Sequence, residues 1–261
     1  MKNCPVCQAT LTFAFKAKIL RTHDISYFKC PNCELLKTEK PFWLNDAYKD
    51  AIIDADTGLV QRNILIAKKL SGLIYFLLDK NALYLDVAGG YGMLTRLMRD
   101  YGYNFYWSDP YCTNVLSRGF EVDAMLTRNF NALTCFEVLE HIENPIEFFQ
   151  NLILDYKCEN IIFSTELYDG KVPDKLWWYY VFEEGQHISF YTKKTLNIIS
   201  KKLGLNFYSK NGIHFFSKSK INKFKFILAT GKLSSLISFF IRKKMNSLTI
   251  SDHEAIKNIN K

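Results

Sequence analysis

The spacing of hydrophobic positions changes repeatedly along this 261-residue chain. Leu11 to Phe15 alternates apolar and polar side chains, the two-residue period of a strand. Ile64, Leu65, Leu70, Leu73, Ile74 and Leu77 then recur at helical spacing, after a polar turn at Asp54-Ala55-Asp56-Thr57-Gly58. From Ala82 onward strand-like and helix-like stretches take turns. The pattern predicts strands at Leu83 to Val87, Asn104 to Ser108, Ala132 to Phe136 and Asn160 to Thr165, and helices at Met93 to Tyr101, Pro145 to Leu154 and after Thr192. A short segment near Phe120 to Ala124 and two closing strands, Leu205 to Ser209 and Ile213 to Ser217, complete the set. Only Lys210 to Gly212 separates the last two, too few residues for a parallel crossover, so they are expected to form an antiparallel hairpin.

Such alternation predicts an α/β fold, a doubly wound and mostly parallel sheet of seven strands. Four segments are expected: a small N-terminal zinc-binding module over 1–40, a helical connector over 41–80, the sheet domain over 81–218 and a basic C-terminal tail over 219–261.

Composition fits one domain of ordinary size plus a small module, since 48% of the residues are hydrophobic. Phe224 to Ile241 comes nearest to a membrane-spanning run but is interrupted by Lys225, Gly231 and Lys232. The start, Met1-Lys2-Asn3-Cys4-Pro5, carries no apolar leader, and a cytoplasmic location is expected. The formal net charge is +8, yet Lys210 to Lys261 alone holds 11 Lys and Arg against Asp252 and Glu254, and the first 209 residues sum to −1. The basicity belongs to the tail, which argues against a nucleic-acid face spread over the main domain. Mixed with Phe, Ile and Leu, the tail has the make-up of a basic amphipathic segment. It could lie on an anionic membrane surface, dock on its own domain or meet a second subunit.

Seven cysteines include two Cys-Pro-x-Cys turns, Cys4-Pro5-Val6-Cys7 and Cys30-Pro31-Asn32-Cys33. In a reducing compartment such pairs point to metal: Cys4, Cys7, Cys30 and Cys33 supply four thiolates, enough to close a tetrahedron around a structural zinc with no position left for catalysis. His23 is a competing ligand. Cys112, Cys135 and Cys158 remain as free thiols.

Leu83-Tyr84-Leu85-Asp86-Val87-Ala88-Gly89-Gly90-Tyr91-Gly92 is a strand running into a glycine-rich turn that opens a helix, the place where an open α/β sheet binds its ligand. A dinucleotide site wants a third glycine or alanine for close helix packing, and Thr95 stands there instead. The segment resembles the glycine-rich loop of class I S-adenosylmethionine methyltransferases. Asp86 matches the acid that ends their first strand, and Ala88 replaces their usual first glycine ahead of Gly89, Gly90 and Gly92. The resemblance implies a Rossmann-like domain with S-adenosylmethionine as cofactor, Asp86 near its amino group and Asp109 on its ribose hydroxyls. Leu133 to His141 resembles the fourth-strand segment of that family and adds Phe136 and Glu137 to the cofactor side.

The loop Tyr168 to Tyr191 follows the C-terminal end of a predicted strand and mixes Trp177, Trp178, Tyr179 and Tyr180 with Gln186 and His187, a composition suited either to stacking a sugar ring or to sealing the core. Together with the cysteine module, Asp56-Thr57-Gly58, Arg62-Asn63, Ser247-Leu248-Thr249 and Asp252-His253-Glu254, it makes the chain similar to zinc-bearing methyltransferases associated with bacterial surface-polysaccharide and deoxysugar biosynthesis. The further C-terminal domain of the deoxysugar C-methyltransferases is not expected here. O-methylation of a sugar, glycan or sugar-nucleotide acceptor is therefore the expectation. His187 is the expected general base, with His141 and Glu140 as second choices. An RNA methyltransferase gripping its substrate through module and tail, and a cofactor-binding scaffold without catalysis, are the competing readings. The fourth strand ends in Glu137-Val138-Leu139-Glu140, not in the Asn-Pro-Pro-Tyr type of segment used on exocyclic amines, which counts against methylation of a nucleobase.

Overall fold

The computed structural model describes residues 3–48, 56–125 and 128–259. Asp54 and Ala55 of the expected polar turn, and part of the expected connector, lie outside them. Among the described residues the strands are, in chain order, β1 Thr12–Ile19, β2 His23–Lys29, β3 Leu36–Thr38, β4 Leu83–Val87, β5 Asn104–Ser108, β6 Phe130–Cys135, β7 Asn160–Phe163, β8 Ser189–Phe190, β9 Asn206–Lys210 and β10 Ile213–Ser217. The chain forms two compact units of three segments each, 1–53 with 136–155 and 163–218, and 54–135 with 156–162 and 219–261.

In the first unit β1 and β2 make an antiparallel hairpin, with Thr12 opposite Lys29 and a bulge between Phe13 and Phe15. β3 pairs with β2, and β8, from far along the chain, pairs with β3 through Leu36–Phe190 and Lys37–Ser189. The cysteine-bearing sheet is thus completed by a strand from the aromatic loop, in the order β1-β2-β3-β8. A segment this short cannot bury a core unaided. Ile19, Ile25, Tyr27 and Leu36 close theirs with Trp43, Tyr168, Tyr179, Tyr180 and Phe190. β9 and β10 form the expected hairpin, with Lys210 opposite Ile213. The helix Lys193–Lys202 starts after Thr192, whose hydroxyl accepts from the Thr195 N–H while the Thr195 hydroxyl accepts from the Thr192 N–H.

The second unit holds β5-β4-β6-β7, with β4 parallel to both neighbours. Counted with the β9/β10 pair of the first unit, the described residues hold six strands of a mixed sheet, and the expected seventh is not among them. The segment near Phe120 to Ala124 contributes one parallel bridge, Glu121 to Trp107, and then tightens into a single turn at Val122–Ala124. The Glu121 carboxylate accepts from Asn114 Nδ2 at 2.7 Å and from the Gly119 N–H at 2.9 Å, so this stretch is held by its own loop rather than by a ladder.

The tail is two helices, Lys223–Thr230 and Ser234–Arg242, meeting at 93°, followed by a third, Thr249–Ile259. No single helix among the described residues is long and apolar enough to cross a membrane. Both bent helices pack on the helix Leu59–Leu77. Ser71 Oγ donates to Ser238 Oγ at 3.1 Å, and a Cβ on Gly72 would come within 3.2 Å of the Ala229 Cβ. One face of the tail is therefore docked on its own unit.

The late Asp252 motif is structural. Arg99 donates to both Asp252 oxygens at 2.8 and 2.6 Å, and Arg96 adds a bond at 2.9 Å, fastening Thr249–Ile259 to the helix Met93–Asp100. The Arg99 guanidinium also donates to the Phe105 carbonyl and lies 3.6 Å from the Phe120 ring centroid. Both side chains of the Arg99–Asp252 pair are 6% exposed, whereas Asp100, paired with Arg96, is 36% exposed. Removing one partner of a buried pair strands the other charge at a cost of about 3–5 kcal/mol, against about 1 kcal/mol or less for a surface pair. Asp252→Ala is therefore expected to cost several kcal/mol in urea unfolding and Asp100→Ala less than about 1 kcal/mol. Equal losses in the two variants would mean that Arg99 does not depend on Asp252.

Candidate active site

The turn after β4 is backbone-shaped. Ala88, Gly90 and Gly92 have φ values of 53°, 55° and 84°, in the left-handed region. At Ala88 a side chain occupies a conformation that costs an L-residue roughly 1–2 kcal/mol, at the position where the resembled family carries glycine. Gly89 has no room for a side chain: a Cβ would lie 2.8 Å from Trp107 Cδ1 and 2.9 Å from Asp86 Oδ2. The turn is clamped from β5 and its following loop, since Trp107 Nε1 donates to the Gly90 carbonyl at 2.9 Å and the Gly90 N–H donates to Asp109 Oδ2 at 2.9 Å.

Asp86 sits buried in β4, where Thr134 of β6 donates to its Oδ1 at 2.6 Å. Burial pushes its carboxyl up from 3.8 to about 7, against a smaller opposing pull from the Thr134 hydroxyl. Asp109 is more heavily used than its sequence position suggests. Besides Gly90 it accepts from the Tyr111 and Cys112 N–H groups at 2.8 and 3.0 Å. A carboxylate has about four acceptor positions, and the three amides hold Asp109 in one orientation.

Past the end of β6, Phe136 is half-buried and Glu137 takes a φ of 55°. Glu137 is fixed in that strained conformation by Ser164: its N–H donates to Ser164 Oγ at 3.0 Å, and the Ser164 hydroxyl donates back to its carboxylate.

Glu140, His141 and His187 come together in the first unit, with one potential ligating atom of each within 4.8 Å of the others. The turn Leu139–His141 is bolted to the loop that carries His187, because the Ile188 N–H donates to the Glu140 carbonyl at 2.9 Å and the Tyr191 hydroxyl to that of Leu139 at 2.9 Å. His141 Nδ1 lies 2.8 Å from the Tyr48 hydroxyl and 3.1 Å from the Gln186 carbonyl. His187 Nδ1 lies 2.7 Å from the Tyr179 carbonyl. The two rings meet edge to face, centroids 4.9 Å apart. Burial, with His187 alongside, pushes His141 down to about 3. Burial and the Glu137 charge push Glu140 up to about 8. Both Glu140 oxygens are fully buried without a hydrogen-bond partner, while the nearby Thr165 and Tyr179 hydroxyls bond each other at 3.2 Å.

The four sulfurs of Cys4, Cys7, Cys30 and Cys33 lie within 4.8 Å of one another, with Cys4–Cys33 and Cys7–Cys30 at 3.4 Å. Zinc–sulfur bonds of about 2.3 Å demand tetrahedral edges of about 3.8 Å, so the set fits the metal. The N–H groups of Val6 and Cys33 point at the sulfurs of Cys4 and Cys30, each at 3.4 Å, as suits thiolates. His23 stands apart, against Asp46 and the edge of Phe42. The aromatic loop divides its work: Tyr179 and Tyr180 are core, Trp177 packs against it, and Trp178 is 70% exposed. Tyr48 and Ser164 had no signal in the sequence, since each acts through a partner brought near only by folding.

A family model described as a methyltransferase domain matches residues 61–210. No curated protein matches the chain significantly. Among solved structures, magnesium protoporphyrin IX methyltransferase from Synechocystis PCC 6803 with bound SAM is 16% identical, covers 67% of this chain and 91% of its own, and has a TM-score of 0.40. Human N-acetylserotonin methyltransferase in complex with SAM is 15% identical over 68% of this chain and 66% of its own, with a TM-score of 0.45. The plantazolicin methyltransferase BpumL in complex with SAH is 11% identical over 75% and 88%, with a TM-score of 0.47. Because the family match runs over more than half of its length, this chain belongs to the methyltransferase domain family.

Proposed function

We propose that the protein transfers the methyl group of S-adenosylmethionine to a hydroxyl of a sugar, glycan or sugar-nucleotide acceptor. The turn after β4 carries the donor half of this reading: a buried acid, Asp86, beside a left-handed backbone with glycine at 89, 90 and 92 receives the ammonium and carboxylate of the methionine moiety. Asp109 takes a ribose hydroxyl. In the transfer the acceptor oxygen attacks the methyl carbon in line, the carbon–sulfur bond breaks, S-adenosylhomocysteine departs and the hydroxyl proton is lost. Glu140, His141 and His187 are the groups we assign to that proton and to holding the oxygen, with exposed Trp178 as a stacking face for the ring. Zinc at the four cysteines holds the β1-β2-β3 module together and takes no part in the chemistry.

The tail supports a place of work. Its inner face is docked, yet Phe224 is 73% exposed and Phe239 and Phe240 are more than half exposed among Lys223, Lys225, Lys232, Arg242, Lys243 and Lys244. Apolar side chains ringed by cations match an anionic lipid surface, which suits a lipid-linked glycan acceptor.

Three outcomes test this reading. Isotope-labelled S-adenosylmethionine is expected to pass its methyl group to a sugar-nucleotide or glycan fraction with the mass of an ether; protein that binds the nucleoside tightly but methylates no acceptor would be a scaffold. Asp86 contributes nothing to pH-dependent stability below about pH 4, where it is protonated folded or unfolded, and its burial penalty grows to full size above about pH 7. Asp86→Asn is therefore expected to gain on the order of 2–4 kcal/mol at pH 8 and nothing at pH 4, while binding S-adenosylmethionine at least tenfold more weakly by calorimetry. Unchanged affinity would remove Asp86 from the ammonium site. The protein should float with phosphatidylglycerol vesicles at low salt and be released above about 0.5 M salt, where screening is nearly complete. Phe224→Ser with Phe240→Ser should weaken flotation, and equal flotation of neutral vesicles would refute the electrostatic part.

A further inference from the structure

We infer that Glu140, His141 and His187 form a binding site for a divalent metal ion, distinct from the four-cysteine site. This inference rests on the acceptor role given to the same three residues above and specifies how they perform it.

Three features carry it. One potential ligating atom from each residue falls within a 4.8 Å set, the span across which neighbouring ligands of one ion are found. Glu140 is wholly buried with both oxygens orphaned, an arrangement that costs several kcal/mol unless a cation or donor meets it. The two nearby hydroxyls, Thr165 and Tyr179, share one bond at 3.2 Å that uses one of their two hydrogens, so they cannot satisfy both carboxylate oxygens. The third feature is the tautomer of the histidines. Both Nδ1 atoms face backbone carbonyls, Gln186 at 3.1 Å and Tyr179 at 2.7 Å, and a carbonyl can only accept. For His187 the carbonyl is the partner of Nδ1, which therefore carries the proton and leaves the lone pair on Nε2, the orientation in which a carbonyl fixes a metal-binding imidazole; His141 Nδ1 is shared between the Gln186 carbonyl and the Tyr48 hydroxyl at 2.8 Å, which hold its ring in place.

Two imidazoles and one carboxylate make a mixed nitrogen and oxygen set. It suits manganese, iron, cobalt or zinc better than calcium, and with three protein ligands it leaves positions open for oxygen atoms of an acceptor. The cysteine site, all sulfur and closed, selects zinc. In this arrangement His187 serves as a ligand and not as a base: the cation would lower the pKa of the bound acceptor hydroxyl, whose proton would leave to solvent water as the oxygen takes the methyl group.

Manganese titrated into zinc-replete full-length protein and followed by electron paramagnetic resonance tests the site without any turnover. One Mn²⁺ per chain is expected, with a thermal transition that rises on binding. Glu140→Gln keeps the shape of the side chain and removes the buried charge, so it should fold at least as stably as the parent. Glu140→Gln and His187→Ala should each raise the Mn²⁺ dissociation constant at least tenfold, while S-adenosylmethionine affinity stays within twofold. No bound Mn²⁺ in the parent at millimolar concentration, or equal binding by parent and both variants, would overturn the metal site and leave the methyltransfer reading intact. Loss of S-adenosylmethionine binding by the parent itself would sink that reading while the Mn²⁺ result still stood on its own.

Discussion

Left-handed backbone at the ends of two strands is the constraint on which the candidate site depends. Ala88 after β4 and Glu137 after β6 are both L-residues at positive φ, and neither would stay there in an unsupported loop. Each is overdetermined by neighbours. The turn carrying Ala88 is pinned through Gly90 by the Trp107 indole and the Asp109 carboxylate, and Glu137 is closed by Ser164. Strain of this kind is sustained only by a stiff surround, and parallel strands with aromatic neighbours provide one. Each of the two turns thus has a backbone shape that is set before any ligand arrives.

Two buried carboxylates define the chemistry that this scaffold holds. Asp86 and Glu140 occupy positions where apolar side chains would give a more stable core, and burial is the leading reason that both carboxyls hold their protons to higher pH. They differ in company. Asp86 has the Thr134 hydroxyl, enough to orient it, and a glycine-rich turn after its strand. Glu140 has no hydrogen-bond partner and two imidazoles beside it. The first environment suits an organic cation of some size, the second a compact inorganic one.

Much of the fold was legible along the chain because its signals are local. β4, β5 and β10 have the bounds that alternation predicts, and Thr192 caps its helix through a bond to a residue three positions on. The glycine-rich turn was readable for the same reason: Asp86, Gly89 and Gly92 lie within seven consecutive residues. What escaped depends on distant partners. Tyr48 matters through His141, Ser164 through Glu137, and the isolation of Glu140 is a property of everything packed around it. The short segment near Phe120 makes only one bridge, and Glu121 spends its carboxylate on its own loop. The tail announced its charge and oiliness but not which side would meet the helix Leu59–Leu77, since Ser71, Gly72, Ala229 and Ser238 are too small to register as a pattern.

The pairing of β3 with β8 bears on how the chain is made. Leu36 and Lys37 leave the ribosome long before Phe190 and Ser189, and at roughly 5–20 residues per second their partner strand follows about 8–30 seconds later. During that interval the nascent three-stranded sheet presents a bare edge and an open aromatic core. A metal captured early by the cysteines would close the open end of the β1-β2 hairpin and hold it in register while translation continues, and the supply of that metal during synthesis would then bear on yield as much as on the finished molecule.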